Sequence, residues 1–440
     1  MESNIEERII VIDSYNGSGK TSWAIQSINK LNDDTKVIYI TPFLTEVQRI
    51  IDSCPNKHFT QPDKKLGKGS KLTHLISLVS QGKNIVSTHA LFMSITDELI
   101  SALKLYNYIL FLDEVFQTVD KYDFTSNEQS EYDIDTIKKQ DVDSLIFKGY
   151  IKINEDDYSV EWIDNDNLLS WYIPLKRLAD RGLLYFVSGS LLLWSFPIEV
   201  FREGIFSKIF IMTYLFESQL QFYYYNYFHV EYIKYHAYLD IKTNKYKISK
   251  TINPENELQW KSKIKDKIHV LENSKLNRVG DIHYDNNGHP YKTALSVNWY
   301  DRNKELLPYI RKNTYNFFNN ITKSKSDDIM WTCFKEDNKK IKTKIINLKN
   351  WLATNARAIN EYGDRHALAY LVNRYIDPFY EKFFEKKGII IDQDKFALSE
   401  MVQWIWRSAI RNNEKITIYI PSKRMRNLLI KFLNNEEIVF

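Results

Sequence analysis

The residues best suited to chemistry lie near the amino terminus, where positions 14–21 read SYNGSGKT. A glycine-rich loop of this kind presents backbone N–H groups to a phosphate, and a following helix adds the dipole of its N-terminus. Lys20 has the reach and charge to contact the outer phosphates, and the Thr21 hydroxyl is suited to Mg²⁺. The pattern predicts a site for ATP and Mg²⁺, formed also by Gly17, Ser18 and Gly19. The alternative is a glycine-rich turn that only happens to precede Lys-Thr.

A pair of adjacent carboxylates, Asp113 and Glu114, is the second chemical feature. The pair follows the apolar run 108–112, which has the character of a central strand in a parallel sheet. Beside a nucleotide, Asp113 would hold Mg²⁺, directly or through water, and Glu114 would polarise the attacking water. Two carboxylates that simply face solvent at a strand end are the alternative. The upstream phosphate loop favours the catalytic interpretation.

Arginine residues near the carboxyl terminus form the third candidate feature. Arg407 and Arg411 are four residues apart, and Gln403 is four residues before Arg407. A helix over 401–411 would therefore place all three side chains on one face. Such a stripe is commonly a solvent-facing salt-bridge surface, but Trp404 and its aliphatic neighbours predict packing on the opposite side. The arginines would then be available to stabilise the charge of a transferring phosphoryl group.

Apolar runs that alternate with helical segments indicate how these residues are positioned. This alternation predicts an α/β fold with a mostly parallel sheet, in which ligands bind at the carboxyl ends of the strands. Polar residues follow several of the runs in the manner expected for such ends. The predicted strands cover residues 9–12, 36–40, 83–89, 108–112, 183–187, 208–216, 329–334 and 415–421.

Charge is unevenly distributed, although the formal net charge is only +4. Residues 113–135 contain eight acidic residues and one lysine, whereas residues 335–349 contain six lysines and two acidic residues. A basic block is a candidate nucleic-acid surface, and an acidic block is a poor one. Either block alone is also compatible with an ordinary solvated face.

Compartment and membrane signals point to a soluble, cytoplasmic protein without a membrane partner. Cys54 and Cys333 are far apart in sequence and predict neither a disulfide framework nor a metal cluster. The first eight residues are charged and lack the apolar core of a signal peptide. The longest charge-free run, 182–198, contains Gly, Ser and Pro and is short for a membrane-spanning helix.

Taken together, these motifs resemble those of superfamily-two helicases of the DEAD/DEAH type. Residues 14–21 resemble motif I, and Thr41-Pro42 resembles motif Ia. Ser87-Thr88-His89 resembles the threonine-containing motif just upstream of the acidic one. Residues 112–115 (LDEV) resemble motif II, and Ser188-Gly189-Ser190 stands where the family has Ser-Ala-Thr, its motif III. Residues 354–360 and 403–411 resemble motifs V and VI. No aromatic-plus-Gln motif for adenine precedes motif I, so the sequence does not assign the base.

The closer likeness is to bacteriophage-type helicases of this class. It is carried by NARAIN at 355–360, LVNRY at 371–375, QWIWRSAIR at 403–411 and YIPSKRMR at 419–426. The resemblance implies that Glu114, Gln403, Arg407 and Arg411 act in hydrolysis. It implies nucleic-acid contacts from Thr41, Pro42, Thr88, His89, Thr354, Asn355 and Arg357.

The resemblance also implies a domain organisation for the 440 residues, a length that predicts two or three domains at roughly 100–200 residues each. We predict an α/β protein with two RecA-like parallel-sheet domains in tandem, residues 1–205 and 206–440. Motifs I, Ia, II and III fall in the first domain, and motifs V and VI fall in the second. The polar stretch at about 120–181 and the mixed stretch at about 229–327 are predicted insertions. The aromatic run 223–228 fits either base stacking or a half-buried core.

The implied function is an ATP-dependent helicase or translocase in phage DNA replication or recombination, acting in the host cytoplasm. Its partners would be single-stranded or forked DNA, or RNA, together with replication or recombination proteins. Two alternatives stay open. A terminase-type packaging ATPase would need a second acidic cluster in the C-terminal half for a two-metal nuclease. An NTP-gated nucleic-acid-binding module would keep Lys20 but would have no need of Glu114 together with the arginine pair.

Overall fold

The computed structural model describes residues 7–42, 44–121, 139–163, 172–187, 191–202, 204–251, 254–281, 293–355 and 361–436. Strands and helices alternate through most of these residues, as predicted for an α/β protein. Two predicted features, Ser188–Ser190 of motif III and Arg357 of motif V, lie outside the described residues.

In chain order, the strands are β1 (Ile9–Asp13), β2 (Lys36–Thr41), β3 (Ile85–Thr88), β4 (Tyr108–Asp113), β5 (Val119–Lys121), β6 (Ile151–Ile153), β7 (Val160–Trp162), β8 (Leu184–Val187), β9 (Leu191–Ser195), β10 (Phe206–Thr213), β11 (Ile233–Asp240), β12 (Lys245–Ser249), β13 (Ile268–Val270), β14 (Ile329–Thr332), β15 (Ala367–Tyr370) and β16 (Ile416–Tyr419).

The helices are α1 (Lys20–Ile28), α2 (Leu44–Ser53), α3 (Lys71–Ser80), α4 (His89–Met93), α5 (Asp97–Leu103), α6 (Lys139–Phe147), α7 (Ile173–Asp180), α8 (Glu199–Arg202), α9 (Leu220–Tyr227), α10 (Pro254–Lys265), α11 (Arg278–Asp281), α12 (Val297–Arg302), α13 (Leu307–Asn316), α14 (Asn338–Ile341), α15 (Pro378–Glu385), α16 (Gln393–Ile405) and α17 (Lys423–Asn434). Within the described ranges, none of these helices has the length and apolar character needed to cross a bilayer.

Contacts divide the described chain into two units. The first comprises Met1–Ser14, Ser18–Thr251 and Asp377–Ile391, and the second comprises Tyr15–Gly17, Ile252–Ile376 and Asp392–Phe440, as far as their residues are described. The predicted boundary after residue 205 is therefore misplaced, because residues 206–251 belong to the first unit. The predicted insertion at 229–327 is likewise split, since its first part belongs to the first unit and the rest to the second.

The first unit is built on a seven-stranded sheet with the order β12-β11-β1-β10-β4-β2-β3. All neighbouring strands are parallel except β11 and β12, which form an antiparallel edge hairpin. The core on one face packs α1 against the sheet through Trp23 and Ala24, which meet Ile12, Val37 and Phe111. Because β1, β10 and β4 are central strands, most of their side chains are buried on both faces, which explains their apolar runs.

Strand β10 corrects one prediction. Its apolar run is predicted to open the second domain, but β10 lies between β1 and β4, with Ile211 opposite both Val11 and Leu112. A fully apolar run has the same appearance at the start of a new domain and in the middle of an existing sheet. The pairing partners, which are distant in sequence, decide between the two.

Strand β8 corrects a second prediction, that residues 183–187 form a core strand of the parallel sheet. It pairs antiparallel with β9, which pairs with β5 in a separate three-stranded sheet. The predicted insertion contributes β6, β7 and α7 to a small core next to this sheet. The members of this core are Val142, Leu145, Ile151, Val160, Trp162, Leu175, Ala179 and Leu184.

The aromatic run 223–228 lies mostly on α9, where Tyr223, Tyr224, Tyr225 and Tyr227 are buried. This burial confirms the interpretation of the aromatic run as part of the core, and not as a base-stacking surface. Phe383 of α15 stacks on Tyr227 with ring centroids 4.6 Å apart, so the late segment 377–391 completes the core of the first unit.

The second unit has a four-stranded parallel sheet with the order β13-β16-β15-β14. Trp331 and Tyr419 are fully buried in its core, together with Phe317 and Leu371. The prediction of two parallel-sheet α/β domains is thus confirmed as a fold class, and only the position of the boundary changes.

Candidate functional site

The candidate residues of the first unit gather at one edge of the seven-stranded sheet. Parallel strands bring their carboxyl ends to the same edge. Thr41 ends β2, Thr88 ends β3 and Asp113 ends β4. The phosphate-loop sequence follows β1 at this same edge. The sheet therefore brings together the loop and the carboxylates, which are separated by more than 90 residues in sequence.

The loop is anchored to neighbouring strands through Ser14. The Ser14 backbone N–H donates to the Thr213 carbonyl oxygen at 3.0 Å, and the Ser14 hydroxyl accepts from the Ala237 N–H at 2.7 Å. The Lys20 ammonium donates to the Ser14 carbonyl oxygen at 2.6 Å, so the lysine side chain folds back across the loop. This arrangement holds a buried positive charge inside the loop.

The loop residues fit a bound phosphate. Gly17 and Gly19 have φ of +84° and +91°, a left-handed backbone region that glycine adopts without strain. Helix α1 begins at Lys20 with Gly19 as its N-cap, so no cap side chain satisfies the N–H groups of its first turn. Among the described residues, the buried Ser18 hydroxyl has no hydrogen-bond partner. An anionic phosphate would satisfy these donors and pair with the Lys20 charge.

Asp113, the residue predicted to hold Mg²⁺, ends β4. The Tyr39 hydroxyl donates to its carboxylate at 3.0 Å and fixes the orientation of the side chain. Burial, followed by the neighbouring Glu114 charge, raises the pKa of Asp113 from 3.8 to about 6. Mg²⁺ is commonly held by one or two carboxylates and by substrate phosphates, with water filling the remaining positions. Asp113 together with Thr21, on the first turn of α1, has the composition of such a site.

Replacement of Asp113 by Asn should stabilise the folded protein at alkaline pH in the absence of divalent cations. A raised pKa means that the folded state prefers the protonated carboxyl, so ionisation costs stability as the pH rises from about 4 through about 6. At 1.36 kcal/mol per pKa unit, the gain in Asp113→Asn is up to about 3 kcal/mol at pH 8 and vanishes near pH 4. Urea unfolding at both pH values in EDTA measures it. An equal gain at both pH values would contradict this account.

Glu114 occupies a strained backbone position that aims its carboxylate at β10. Its φ is +66°, in the left-handed region, and its N–H donates to the Met212 carbonyl oxygen at 2.9 Å. The Thr213 hydroxyl donates to the Glu114 carboxylate at 3.0 Å. The Gln219 amide donates in turn to the Thr213 hydroxyl at 2.9 Å and to the Tyr214 carbonyl oxygen at 2.7 Å. A relay from Gln219 through Thr213 therefore holds Glu114 in one orientation.

Thr213 and Gln219, which position Glu114, lie outside the sequence motifs. Thr213 ends β10, the strand between the phosphate-loop strand and the carboxylate strand, and it is fully buried. The motif III resemblance falls instead on Ser188–Ser190, which lies outside the described residues. The sequence does contain a pattern that points to Thr213. Like Thr41 and Thr88, it comes at the end of an apolar strand.

The predicted nucleic-acid residues of the first unit differ in exposure. Thr41 is fully buried and lies opposite Thr88 in the sheet register, whereas Thr88 and Pro42 are half-buried. His89 begins α4, and its Nε2 lies 2.9 Å from the Asp113 carbonyl oxygen. His89 therefore links the end of β3 to the carboxylate strand. Contact of these residues with nucleic acid stays a prediction.

The prediction of one helical face for Gln403, Arg407 and Arg411 is wrong. Helix α16 ends at Ile405, and Ser408 is extended with φ −81° and ψ −173°. Gln403 is buried on the last turn, and Arg407 lies half-buried in the turn that follows. Arg411 is exposed on a short 3₁₀ helix, Ala409–Asn412. The two arginines therefore do not share the i, i+4 geometry of an α-helix.

Local hydrogen bonds explain this early helix end. The Ser408 hydroxyl donates to the Ile405 carbonyl oxygen at 2.6 Å, a local bond of the type that competes with helix continuation. The Ala409 N–H donates to the Arg365 carbonyl oxygen at 3.0 Å, which draws the chain toward β15. Since the second partner is distant in sequence, periodicity alone could not reveal it.

The described part of motif V lies in a turn of the second unit. Thr354 is half-buried and Asn355 is exposed. The Leu352 carbonyl oxygen, two residues earlier, accepts from the Trp404 indole N–H at 3.1 Å. The chain leading into motif V is thereby fixed to α16, the helix that precedes Arg407.

Comparison with known proteins gives three findings. The family model of the YonV C-terminal Rossmann-like domain matches residues 262–433. A relative from Bacillus subtilis (strain 168), described as "SPbeta prophage-derived uncharacterized protein YonV", is 37% identical over 440 residues, covering 98% of this chain and 100% of the relative. A solved structure titled "Structure of S. tokodaii Xpd4" is 12% identical, with a TM-score of 0.46, covering 98% of this chain and 95% of that one. By its identity and coverage with the Bacillus relative, the chain belongs to the YonV family.

Proposed function

We propose that this protein is a Mg²⁺-dependent ATPase coupled to nucleic acid, a helicase or translocase that acts on single-stranded or forked DNA, or on RNA. One observation carries the proposal. Lys20 in a left-handed glycine loop, and the carboxylate pair Asp113-Glu114, lie at the same edge of one parallel sheet. These groups match the needs of phosphoryl transfer, which are a cation at the phosphates, a metal carboxylate and a group that orients water.

Each group has a defined role in the proposed reaction. Lys20 and the loop N–H groups of Gly17, Ser18 and Gly19 bind the phosphates. Asp113 and Thr21 hold Mg²⁺, which would neutralise charge on the phosphate oxygens when bound. Glu114 accepts a hydrogen bond from the attacking water and is kept in position by the Thr213 hydroxyl.

The nucleic-acid part of the proposal is supported by the motif resemblance and by the position of Thr41, Thr88 and His89 at the same sheet edge. Motif V residues Thr354, Asn355 and Arg357 would supply further backbone contacts. The Bacillus relative is described as prophage-derived, which supports a phage origin. The proposed role in phage DNA replication or recombination rests on the motif resemblance.

The decisive experiment measures phosphate release from ATP by the purified full-length chain, with and without single-stranded DNA or RNA. Mg²⁺-dependent turnover that rises with nucleic acid supports the proposal. No turnover, with ATP binding intact, would favour an NTP-gated binding module. Metal-dependent cutting of DNA would favour a terminase-type packaging ATPase. Strand displacement on duplexes with either overhang then separates unwinding from translocation alone.

Motif VI provides a further prediction for Arg407 and Arg411. We propose that these arginines stabilise the charge of the transferring phosphoryl group, as the resemblance implies. Lysine lacks the planar guanidinium fork, so Arg407→Lys and Arg411→Lys should each lower nucleic-acid-stimulated turnover by at least about tenfold. ATP binding should change much less. Single-turnover hydrolysis on saturating single-stranded DNA measures the effect, with Arg302→Lys, an exposed arginine, as control. Near-normal rates in both variants would assign the two arginines to ordinary surface.

A further inference from the structure

The edge hairpin β11–β12 is attached directly to Asp13 and Ser14, where the phosphate loop starts. The Ala237 N–H donates to the Ser14 hydroxyl at 2.7 Å, and His236 Nδ1 lies 2.6 Å from the Asp13 carbonyl oxygen. On the second strand of the hairpin, the Tyr246 N–H donates to the Gln26 side chain of α1 at 3.1 Å. The hairpin is therefore held at both the start of the loop and the helix that follows it.

The Tyr246 ring lies against Gly19, the last glycine of the loop. A β-carbon built on Gly19 would be only 1.9 Å from Cε1 and 2.1 Å from Cδ1 of this ring. No side chain could occupy that space while the ring stays in place. Tyr246 itself is half-buried, so part of its ring surface stays accessible beside the loop. An aromatic ring thus adjoins Gly19, the N-cap residue of the helix that follows the loop.

Leu239 adds an aliphatic side chain on the same side of the hairpin as Tyr246. It is directly opposite Tyr246 in the antiparallel register, and opposite residues share one face of a strand pair. Leu239 is 43% exposed, so its apolar surface is accessible to a ligand. We refer to Leu239 and Tyr246 together as the hairpin shelf.

We propose that the hairpin shelf stacks the nucleobase of the nucleoside triphosphate whose phosphates bind the loop. The inference rests on the proposed function and adds the base-binding residues. Phosphates held at Gly19 and Lys20 leave the ribose and base to extend along the outside of the loop. A base has flat apolar faces, and a tyrosine ring next to the loop is a suitable stacking partner. The sequence before the loop offers no such residue, whereas the hairpin supplies one from far downstream.

The shelf also has a consequence for base selectivity. Stacking accepts every base because every base has a π-face, whereas selectivity requires hydrogen-bond readout. Tyr246 and Leu239 offer stacking and apolar contact, and the side-chain oxygen of the neighbouring Gln26 already accepts the Tyr246 backbone N–H. Because the shelf itself supplies stacking, we expect ATP and GTP to bind with affinities within a few-fold of each other.

The test compares two ligands that differ by the nucleoside, Mg²⁺·ATP and Mg²⁺·tripolyphosphate, by isothermal titration calorimetry. Loss of one stacking contact costs about tenfold in affinity. Tyr246→Ala should therefore weaken ATP binding by about tenfold and change tripolyphosphate binding by less than about twofold. Tyr246→Phe and Tyr246→Trp should keep the affinity for ATP. Tyr238→Ala is the matched control, since Tyr238 is adjacent to Leu239 in the strand and lies on the opposite hairpin face.

A more conservative substitution keeps the proposal testable if Tyr246→Ala does not fold. Tyr246→Leu keeps an apolar side chain near Gly19 but removes the π-face, so it should show the same selective loss of ATP affinity. An equal loss of affinity for ATP and for tripolyphosphate in the folded variants would mean that Tyr246 only supports the loop. That result would contradict base stacking on the hairpin shelf. Unchanged ATP affinity in Tyr246→Leu would overturn it as well. Failure of the wild-type protein to bind either ligand would instead refute the proposed function on which the shelf rests.

Discussion

Lys20→Ala is expected to reduce ATP hydrolysis by at least about 100-fold while the protein stays folded. The Lys20 ammonium is buried inside the loop and donates to the Ser14 carbonyl oxygen. In the proposed reaction it contacts phosphate oxygens in both the ground state and the transition state. Removal of a single preorganised donor of this kind typically costs about 10²–10³ in rate. Steady-state phosphate release at saturating Mg²⁺·ATP measures the loss.

The matched control for this variant is Lys30→Ala. Lys30 is exposed just beyond the end of α1, so the same change in net charge is made next to the same helix without a loop contact. Its turnover should equal that of the wild type. Tripolyphosphate binding should also be lost in Lys20→Ala and kept in Lys30→Ala. A folded Lys20→Ala protein with wild-type turnover would contradict the assignment of residues 14–21 as a phosphate loop.

Glu114→Gln is expected to lower hydrolysis by about 10²–10⁴-fold without weakening ATP binding. Glutamine has nearly the same size, and its side-chain oxygen can still accept the Thr213 hydroxyl, so the left-handed turn at residue 114 should persist. What the amide lacks is the negative charge that orients and deprotonates water. The variant should therefore accumulate in the ATP-bound state and stay on single-stranded nucleic acid longer than the wild type.

Two measurements separate binding from chemistry in Glu114→Gln. Calorimetry gives the ATP affinity, and fluorescence anisotropy of labelled single-stranded DNA gives the lifetime of the complex in ATP. Glu98→Gln, at an exposed position on α5, removes one carboxylate that has no role in the proposed site and is the control. Loss of ATP binding in Glu114→Gln would show that Glu114 supports the ligand site rather than the attacking water.

Tertiary contacts account for the geometry around Glu114 in a way that the sequence does not. A carboxylate after a strand end has several low-energy orientations. The hydroxyl that selects one of them comes from Thr213, 99 residues later. The Thr213 hydroxyl is itself fixed by Gln219. The chain of hydrogen bonds from Gln219 through Thr213 to Glu114 forms only because β10 lies between β1 and β4.

The end of α16 illustrates the limits of helical periodicity. The spacing of Gln403, Arg407 and Arg411 fits one helical face, and the sequence contains no proline or glycine to interrupt it. The helix nevertheless ends at Ile405, because Ser408 bonds back to it and Ala409 pairs with Arg365. Local spacing describes which geometry is available, and a partner elsewhere in the chain decides whether it is adopted.

By itself, the sequence determined the local chemistry of this protein. The strand, glycine loop and helix over residues 9–28 follow from short-range rules: apolar residues for a buried strand, glycine for positive φ, and a helix that starts where the loop ends. The same holds for β4 and its terminal carboxylates, whereas the expectation of two parallel-sheet domains came from the motif resemblance and placed the boundary too early. Only the tertiary structure decided that β10 and the β11–β12 hairpin belong to the first sheet, and that residues 377–391 return to the first unit. The physical reason is that strand pairing and core packing depend on partners distant in sequence. The local sequence of an apolar strand does not specify which strand it will pair with.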